Sequence, residues 1–426
     1  MCIDTETKEA YLSTLREELV TSVGCTEPAC LALAGAKLRE ILGAVPEAVV
    51  IKLSANLIKN TKSVLIPYSQ GLKGIRAAVW LGILGGDSQR GLAALSSVNA
   101  QAIARTRELL SDPGACQVEL LRTPERLHLV LAGRAADQSA LVEIRGTHTN
   151  FVRLERNGEV HLEEAAAQVE TELASGQAAL SVQEILTFAE CVDPRDLEPI
   201  LRPQIEHNIA IAERGLEGDY GANIGRTLLE HFGTDVHNLA RAHAAAASDA
   251  RMGGCQMPVV INSGSGNQGI TASIPVIVYA RHLGVSKEKL LRALCVSNLI
   301  AIHQKRGIGR LSAYCGAVSA ACAAGAALTY LEGGDVEQIS ATITNTLANV
   351  AGMICDGAKA SCAAKIASAV DAAILGHTMA LSNVSFPGGD GIVKTNVEET
   401  IDVVRDIASE GMRATDLTII KHMISS

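Results

Sequence analysis

The sequence predicts an α+β fold, in which a mostly helical catalytic region with small-residue packing is joined to a smaller region of antiparallel strands. Apolar residues recur at the helical period over most of the chain, whereas residues 115–163 consist of β-forming runs. Hydrophobic residues make up 48% of the chain but aromatic residues only 3%, so the core must be built from small and aliphatic side chains at close backbone approach.

Three segments follow from these patterns, and 426 residues leave room for two domains. Residues 1–45 form an N-terminal helical segment that carries Cys25 and packs on the catalytic region. Residues 46–165 form an α+β region with antiparallel strands. Residues 166–426 form a mainly helical domain that carries the candidate metal-binding cysteines.

In the first two segments, the motif GCTEP at 24–28 predicts a break between two helices. The helical pattern of 30–42 ends at Gly43, a residue typical of a helix C-cap. Residues 49–53 and 63–66 are short strand-like runs.

Later elements carry equally local signals. Asn157-Gly158 predicts a tight β-hairpin, and Ser181 with Glu184 has the spacing of a capping box at the start of a helix. The stretch 311–331 is free of charge but consists mainly of Ala, Ser, Gly and Cys, so it predicts a buried helix rather than a membrane span.

Composition also bears on the compartment and the partners. The 11 cysteines are odd in number and scattered, and no secretory leader is visible, which favours free thiols in a reducing cytoplasm. The net charge is −9 and basic residues do not cluster, so nucleic acid and membranes are poor candidate partners. We expect a cytoplasmic enzyme for a small molecule; the small-residue helices would also suit a homo-oligomer.

Three cysteines in the last third of the chain predict a metal centre. Cys355 follows Cys315 by 40 positions, and Cys362 follows Cys355 by 7, all among small residues. Three thiolates leave one metal position free to act as a Lewis acid, whereas closed structural sites take four ligands. Cys322 is a rival, since it is spaced to share a helix face with Cys315; a four-cysteine zinc site using it would be structural.

Cys25 is the candidate catalytic residue. Gly24 permits a sharp turn and Pro28 suits a first helical turn, so Cys25 should lie at the positive end of a helix. That position lowers the pKa of a thiol and would let it act as a base or nucleophile. The alternative is an N-cap thiol without chemical function; Glu27 is expected to be a partner of the helix dipole.

Candidate substrate-binding residues lie in three places. The loop 262–269, NSGSGNQG, exposes N–H groups that suit a carboxylate or phosphate, together with Ser265, Gly266 and Asn267. It also resembles a loop of pyridoxal-phosphate dehydratases, although no lysine has the context of a Schiff base. The other candidates flank apolar runs, where turn or surface roles are more common: Lys59, Asn60, Lys305 and the trio 148–150.

Five motifs together resemble the L-cysteine desulfidase family, which is akin to the catalytic chain of iron–sulfur L-serine dehydratases. They are GCTEP at 24–28, GSGNQGI at 264–270, IGRLSAYCG at 308–316, GMICDGAKASCA at 352–363 and GMRATDLTII at 411–420. The resemblance implies an oxygen-sensitive [4Fe-4S] cluster on Cys315, Cys355 and Cys362, with Cys25 as proton acceptor. It also implies β-elimination from L-cysteine to pyruvate, ammonia and sulfide.

One departure from that family leaves alternatives open. The segment 66–71 reads IPYSQG where family members commonly read IPGTG, so Tyr68, Ser69 and Gln70 would alter specificity if they lined the pocket. The alternatives are an L-serine dehydratase, a lyase of another β-substituted amino acid, and a non-catalytic metal- or amino-acid-binding protein.

Overall fold

Two large hydrophobic cores organise the described residues, one under a six-stranded sheet and one among packed helices. The computed structural model describes residues 3–163, 180–309 and 311–425. Helices dominate, and a six-stranded and a two-stranded sheet accompany them in the described residues, which confirms the predicted α+β class.

The elements up to residue 163 are α1 (Thr5–Glu18), β1 (Thr21–Val23), α2 (Thr26–Leu42), β2 (Ala48–Leu53), α3 (Ala55–Thr61), α4 (Gly74–Gly85), a 3₁₀ segment (Ser88–Ser97), α5 (Ala100–Leu110), β3 (Cys116–Leu120), β4 (His128–Ala135), β5 (Gln138–Arg145), β6 (Phe151–Arg156) and β7 (Glu159–Glu163).

The elements after residue 180 are α6 (Val182–Cys191), α7 (Pro194–Glu217), α8 (Ile224–Phe232), α9 (Val236–Met252), β8 (Pro258–Val260), α10 (Gly266–Leu283), α11 (Lys287–Lys305), α12 (Gly316–Leu331), α13 (Val336–Val350), α14 (Ser361–Leu381), α15 (Val397–Asp406), a π turn (Ile407–Gly411) and α16 (Arg413–Ser425).

The sheet has the order β3-β2-β4-β5-β6-β7 and is mixed rather than wholly antiparallel. Strands β2 and β4 to β7 pair antiparallel, and the hairpin predicted at Asn157-Gly158 joins β6 to β7 with positive φ at both residues. β3 instead pairs parallel with β2, because the intervening helices carry the chain back across the sheet. The strand predicted at 63–66 is wrong: only an isolated bridge between Leu65 and Lys73 forms there.

Small residues let α2 and α4 pack closely over the sheet. A Cβ on Gly82 would lie 2.1 Å from the carbonyl oxygen of Ala32, so the two helix backbones are nearly in contact. As predicted, α2 ends at Gly43 in the left-handed conformation. The hydrophobic effect of this aliphatic face fixes α2 on the sheet core.

The second core is helical and holds the uncharged α12, whose side chains are buried along nearly its whole length. This confirms the prediction of a buried helix. Among the described residues, no helix is long and apolar enough to cross a membrane. Ser181 caps α6 by accepting the N–H of Glu184.

The segment boundaries stay a prediction, and the one at 165/166 lies outside the described residues. Tyr11 and Leu15 of α1 belong to the helical core, whereas α2 belongs to the sheet core. One cysteine departs from the expectation of free thiols, since Cys191 at the end of α6 is disulfide-bonded.

Candidate active site

Four helices begin around one cavity. Its walls include the first residues of α2, α10, α12 and α14, and its empty volume is about 740 Å³ including the open mouth. The candidate residues on these walls are Cys25, Ser265, Cys315 and Cys362. Because helix N-termini carry partial positive charge, four of them together favour negative groups in this space.

A two-stranded sheet brings the start of α2 to this cavity. Thr21–Val23 pairs antiparallel with Pro258–Val260, so the chain enters both α2 and the loop before α10 from the same small sheet. The Thr26 hydroxyl then donates a hydrogen bond of 3.1 Å to the carbonyl of Gly264. The motif around Cys25 and the glycine-rich loop are thereby joined, although 238 positions separate the two residues.

Cys25 is the N-cap of α2, as expected, but its ionisation differs from the expectation. Burial, and next the carboxylate of Glu27, raise the pKa of the Cys25 thiol well above its ordinary value, which overturns the prediction of a lowered pKa. The Sγ donates to Glu27 Oε2 at 2.8 Å. Glu27 Oε1 accepts from Asn60 Nδ2 at 3.0 Å, so Glu27 is a hydrogen-bonded acceptor inside the cavity rather than only a helix-dipole partner.

The three cysteines predicted to bind metal line the same cavity as Cys25. Cys315 is the N-cap of α12, and its N–H donates to Met353, while the N–H of Cys355 donates to Ala313. This backbone pairing sets Cys315 beside Cys355. Cys362 lies in the first turn of α14, with its Sγ 3.7 Å from the carbonyl of Gly357.

The chemistry of these donors fits an iron–sulfur cluster. All three are free thiols, and burial, with the neighbouring Cys355, raises the pKa of Cys315 to about 12. Thiolates at such a site need a compensating cation, which a cluster supplies. No group of three Cys, His, Asp or Glu within the described ranges is placed to hold a single metal ion; a cubane cluster takes each cysteine on a separate iron.

Comparison with known proteins identifies the family. Residues 89–421 match the family described as serine dehydratase alpha chain. The chain is 52% identical to a UPF0597 protein of Lachnoclostridium phytofermentans, over 96% of this chain and 98% of the relative. A UPF0597 protein of Treponema denticola is 44% identical, and both chains are covered completely.

The chain belongs to the serine dehydratase alpha-chain family. The matched stretch contains the three cysteines and the loop before α10, and both relatives also cover most or all of the chain, including its N-terminal part. Membership supports a lyase related to serine dehydratases, while the names of the relatives state no substrate.

In this member of the family, four of the predicted substrate-binding residues line the cavity and two do not. Those that line it are Asn60, Ser265, Asn267 and Lys305. Gly266 and Lys59 do not line the cavity. The Nζ of Lys59 instead lies 2.5 Å from Asp416 Oδ1 and donates to the carbonyls of Ser312 and Cys355.

Other candidates also lie outside this cavity. Cys322 is fully buried in α12, with its Sγ 3.7 Å from the carbonyl of Ile343, and it is not part of the lining. His148 lines a different cavity. Tyr68, Ser69 and Gln70 do not line the site, so the sequence departure there does not shape its wall directly.

Sequence reasoning missed two polar residues of the wall, Arg251 and Gln268. Arg251 lies in the last turn of the alanine-rich α9, where no local pattern indicates a ligand. Gln268 belongs to the loop 262–269, in which only Ser265, Gly266 and Asn267 were predicted to bind. Only the helix packing brings Arg251 to the cavity.

Proposed function

We propose that this protein is a [4Fe-4S]-dependent L-cysteine desulfidase, a carbon–sulfur lyase that converts L-cysteine to pyruvate, ammonia and sulfide. The observation that carries the proposal is the single cavity shared by Cys25 and three free cysteines, Cys315, Cys355 and Cys362. A proton acceptor and a metal-binding wall thus face the same small space.

When bound to the three cysteines, a [4Fe-4S] cluster with one iron lacking a cysteine ligand supplies a Lewis acid for the leaving sulfur. The remaining wall of the cavity carries polar and charged groups of the protein. Ser265 caps α10 without a side-chain hydrogen bond to the helix, so its hydroxyl and the N–H groups of the first turn are available to a substrate carboxylate. Lys305 adds positive charge to the same wall.

Proton transfer begins with Cys25 and Glu27. The thiol already donates to Glu27 Oε2, so Glu27 is placed to take the thiol proton, and the thiolate then takes the Cα proton of the substrate. The Cα–H electron pair forms the Cα=Cβ bond as the Cβ–S bond breaks, and its electrons leave with sulfur. The resulting aminoacrylate tautomerises to an imine, which water hydrolyses to pyruvate and ammonia.

The second candidate is L-serine dehydration, which the description of the family favours. Both reactions remove a Cα proton and expel the β-substituent. A soft metal centre held by Cys315, Cys355 and Cys362 would favour a thiolate leaving group over a hydroxyl, and this is why we place L-cysteine first.

The test is an anaerobic assay of the reconstituted protein with L-cysteine, L-serine and other β-substituted L-amino acids, with keto acid and sulfide measured separately. We expect equal amounts of iron and acid-labile sulfide in the protein, and a higher kcat/KM for L-cysteine than for L-serine.

A higher kcat/KM for L-serine would establish the dehydratase instead. A protein with full cluster content that releases keto acid from none of these amino acids would contradict the lyase assignment. Stoichiometric zinc without labile sulfide would contradict the cofactor.

A further inference from the structure

Arg251 is a buried cation without an ionic partner in the described part of the chain. It is 3% exposed and lines the cavity. Its Nη1 donates to Asn267 Oδ1 at 3.1 Å, its Nε has no hydrogen-bond partner, and no carboxylate of the described residues forms a salt bridge with it. Burying a charge costs free energy unless the charge is paired, so this guanidinium is suited to bind an anion that enters the cavity.

The side-chain oxygen of Asn267 contacts Arg251. Its Oδ1 accepts from the guanidinium and, at 3.4 Å, from the hydroxyl of Ser248. Asn267 therefore holds Arg251 in place at the start of α10 as a positioning residue.

Arg251 and Gln268 form one corner of the cavity, and two glycines make room for it. A Cβ on Gly266 would lie 2.4 Å from the Nε of Arg251, and a Cβ on Gly316 would lie 2.5 Å from the Cδ of Gln268. Neither distance is tolerable, so Arg251 and Gln268 lie directly against the first turns of α10 and α12. This gives the predicted Gly266 a specific role, which is to admit the guanidinium.

Gln268 is the second unpaired polar group of the corner. It is 5% exposed and lines the cavity, and its Oε1 has no hydrogen-bond partner. Its carboxamide offers one acceptor and two donors. Beside a guanidinium, this set complements a molecule that carries a carboxylate and an ammonium on the same carbon atom.

The N-termini of α10 and α12 add to the positive electrostatic potential of this corner. Ser265 and Cys315 cap α10 and α12 without a side-chain hydrogen bond, in contrast to Asp235 of α9 and Ser286 of α11, which satisfy backbone N–H groups. The unsatisfied donors and the guanidinium favour negative charge at one place.

We infer that Arg251 and Gln268 recognise the α-carboxylate and α-ammonium of the substrate, so that the enzyme acts on free small α-amino acids and rejects their amides, esters and peptides. The choice of amino acid rests on the proposed function, whereas the recognition of the carboxylate rests on this corner alone. Arg251 is a specificity-determining residue, since its charge distinguishes an acid from its amide.

The test is calorimetric binding to the anaerobic holoprotein of L-alanine and L-alaninamide, which lack a leaving group and differ only in the carboxylate. We expect wild type to prefer L-alanine strongly. Arg251→Met should weaken L-alanine binding about 100-fold and L-alaninamide binding less than about 3-fold, because only the carboxylate loses its partner. Arg251→Lys should restore part of the preference.

Gln268→Glu is a second variant in case Arg251→Met does not fold; a negative charge beside the carboxylate should weaken L-alanine binding more than L-alaninamide binding. Arg292→Met is the matched control, since Arg292 is bonded to Glu288 and Ala189 outside the cavity and its loss should not change the preference. Equal binding of both ligands by wild type, or an unchanged preference in Arg251→Met, overturns the inference. Absence of lyase activity with a preserved preference would contradict the proposed function alone.

Discussion

Cys25 and Glu27 lie two positions apart at the start of α2, and their contact decides where a proton taken from the substrate goes. Cys25→Ala should lower kcat for pyruvate release about 1,000-fold, since general base catalysis contributes on this order. Iron content should not change, because Cys25 is not a proposed ligand. The measurement is a steady-state assay beside iron analysis. Cys30→Ala, fully buried in the same helix and outside the cavity lining, is the control that should retain activity.

The pH dependence of the rate in Glu27→Gln should separate the role of Glu27 from that of Cys25. Glutamine keeps the size of the side chain but cannot take the thiol proton, so kcat should fall about 10- to 100-fold near pH 7. The residual rate should rise steeply with pH, because burial still raises the pKa of Cys25 and the thiolate must then form by losing its proton to solvent. A pH–rate profile parallel to that of wild type would show that Glu27 does not accept the proton.

Cys355 and Cys322 allow a direct test of the metal centre. Cys355→Ala should abolish retention of iron and labile sulfide after anaerobic reconstitution, because one of three sulfur donors is lost. Cys322→Ala should retain both, since Cys322 lies outside the cavity. Loss of iron from the Cys322 variant alone would restore the rival four-cysteine site.

At this scale, the sequence predicts residues whose neighbours along the chain carry the signal and misses those that depend on packing. Cys25 and the three cluster cysteines sit in recognisable motifs, and the structure places all four on one cavity. Arg251 could not be found in this way, because its neighbours Ala250 and Met252 indicate no ligand and its partner Asn267 belongs to another helix. The ionisation of Cys25 was mistaken for the same reason, since its burial exists only in the folded chain.

At the scale of elements, strands β4 and β5 are linked by charge as well as by their backbone ladder. Glu143 Oε1 lies 2.8 Å from His128 Nε2 and also pairs with Arg145. The hydrogen bond from His128 holds the pKa of Glu143 below its usual 4.5, and Arg145 acts in the same direction against burial. A carboxylate with a lowered folded-state pKa stabilises the fold above its unfolded pKa and ceases to do so as pH falls through the folded value.

Glu143→Gln should therefore lower the free energy of unfolding by about 1 kcal/mol at pH 7, and by less as pH falls below the usual pKa of 4.5. Urea denaturation at pH 7 and pH 3.5 measures the difference. Glu9→Gln, which removes an exposed carboxylate paired with Arg16, is the control with a smaller effect at pH 7. An equal loss at both pH values would show that Glu143 acts through packing rather than charge.

Elements with a strong local signal, such as the Asn157-Gly158 hairpin and the capped α6, were predictable. The pairing of β1 with β8 was not, because Thr21–Val23 is too short to show a period and its partner lies more than 230 positions away. The parallel pairing of β3 was missed for a related reason: alternation along a strand indicates which face is buried but not the direction of its neighbour.

At the scale of the whole molecule, the last helix is tied to the sheet-bearing part of the chain by one buried ion pair. Lys59 of α3 has a fully buried side chain, and its Nζ lies 2.5 Å from Asp416 of α16. The same Nζ donates to the carbonyls of Ser312 and Cys355, which flank the cavity. The C-terminal motif that resembled the desulfidase family is therefore linked to the backbone that carries a proposed cluster ligand.

Asp416→Asn should lower the free energy of unfolding by about 3 kcal/mol, because it leaves the Lys59 ammonium buried without a counter-charge. Replacing both partners, in Lys59→Met with Asp416→Leu, should recover most of that loss, since no buried charge then remains. A double-mutant cycle by urea denaturation measures the coupling, with the exposed pair Lys8–Asp196 as the control, whose coupling should stay below about 1 kcal/mol. Coupling near zero for Lys59 and Asp416 would mean that packing alone holds α16, and that the C-terminal motif does not stabilise the cavity wall through this pair.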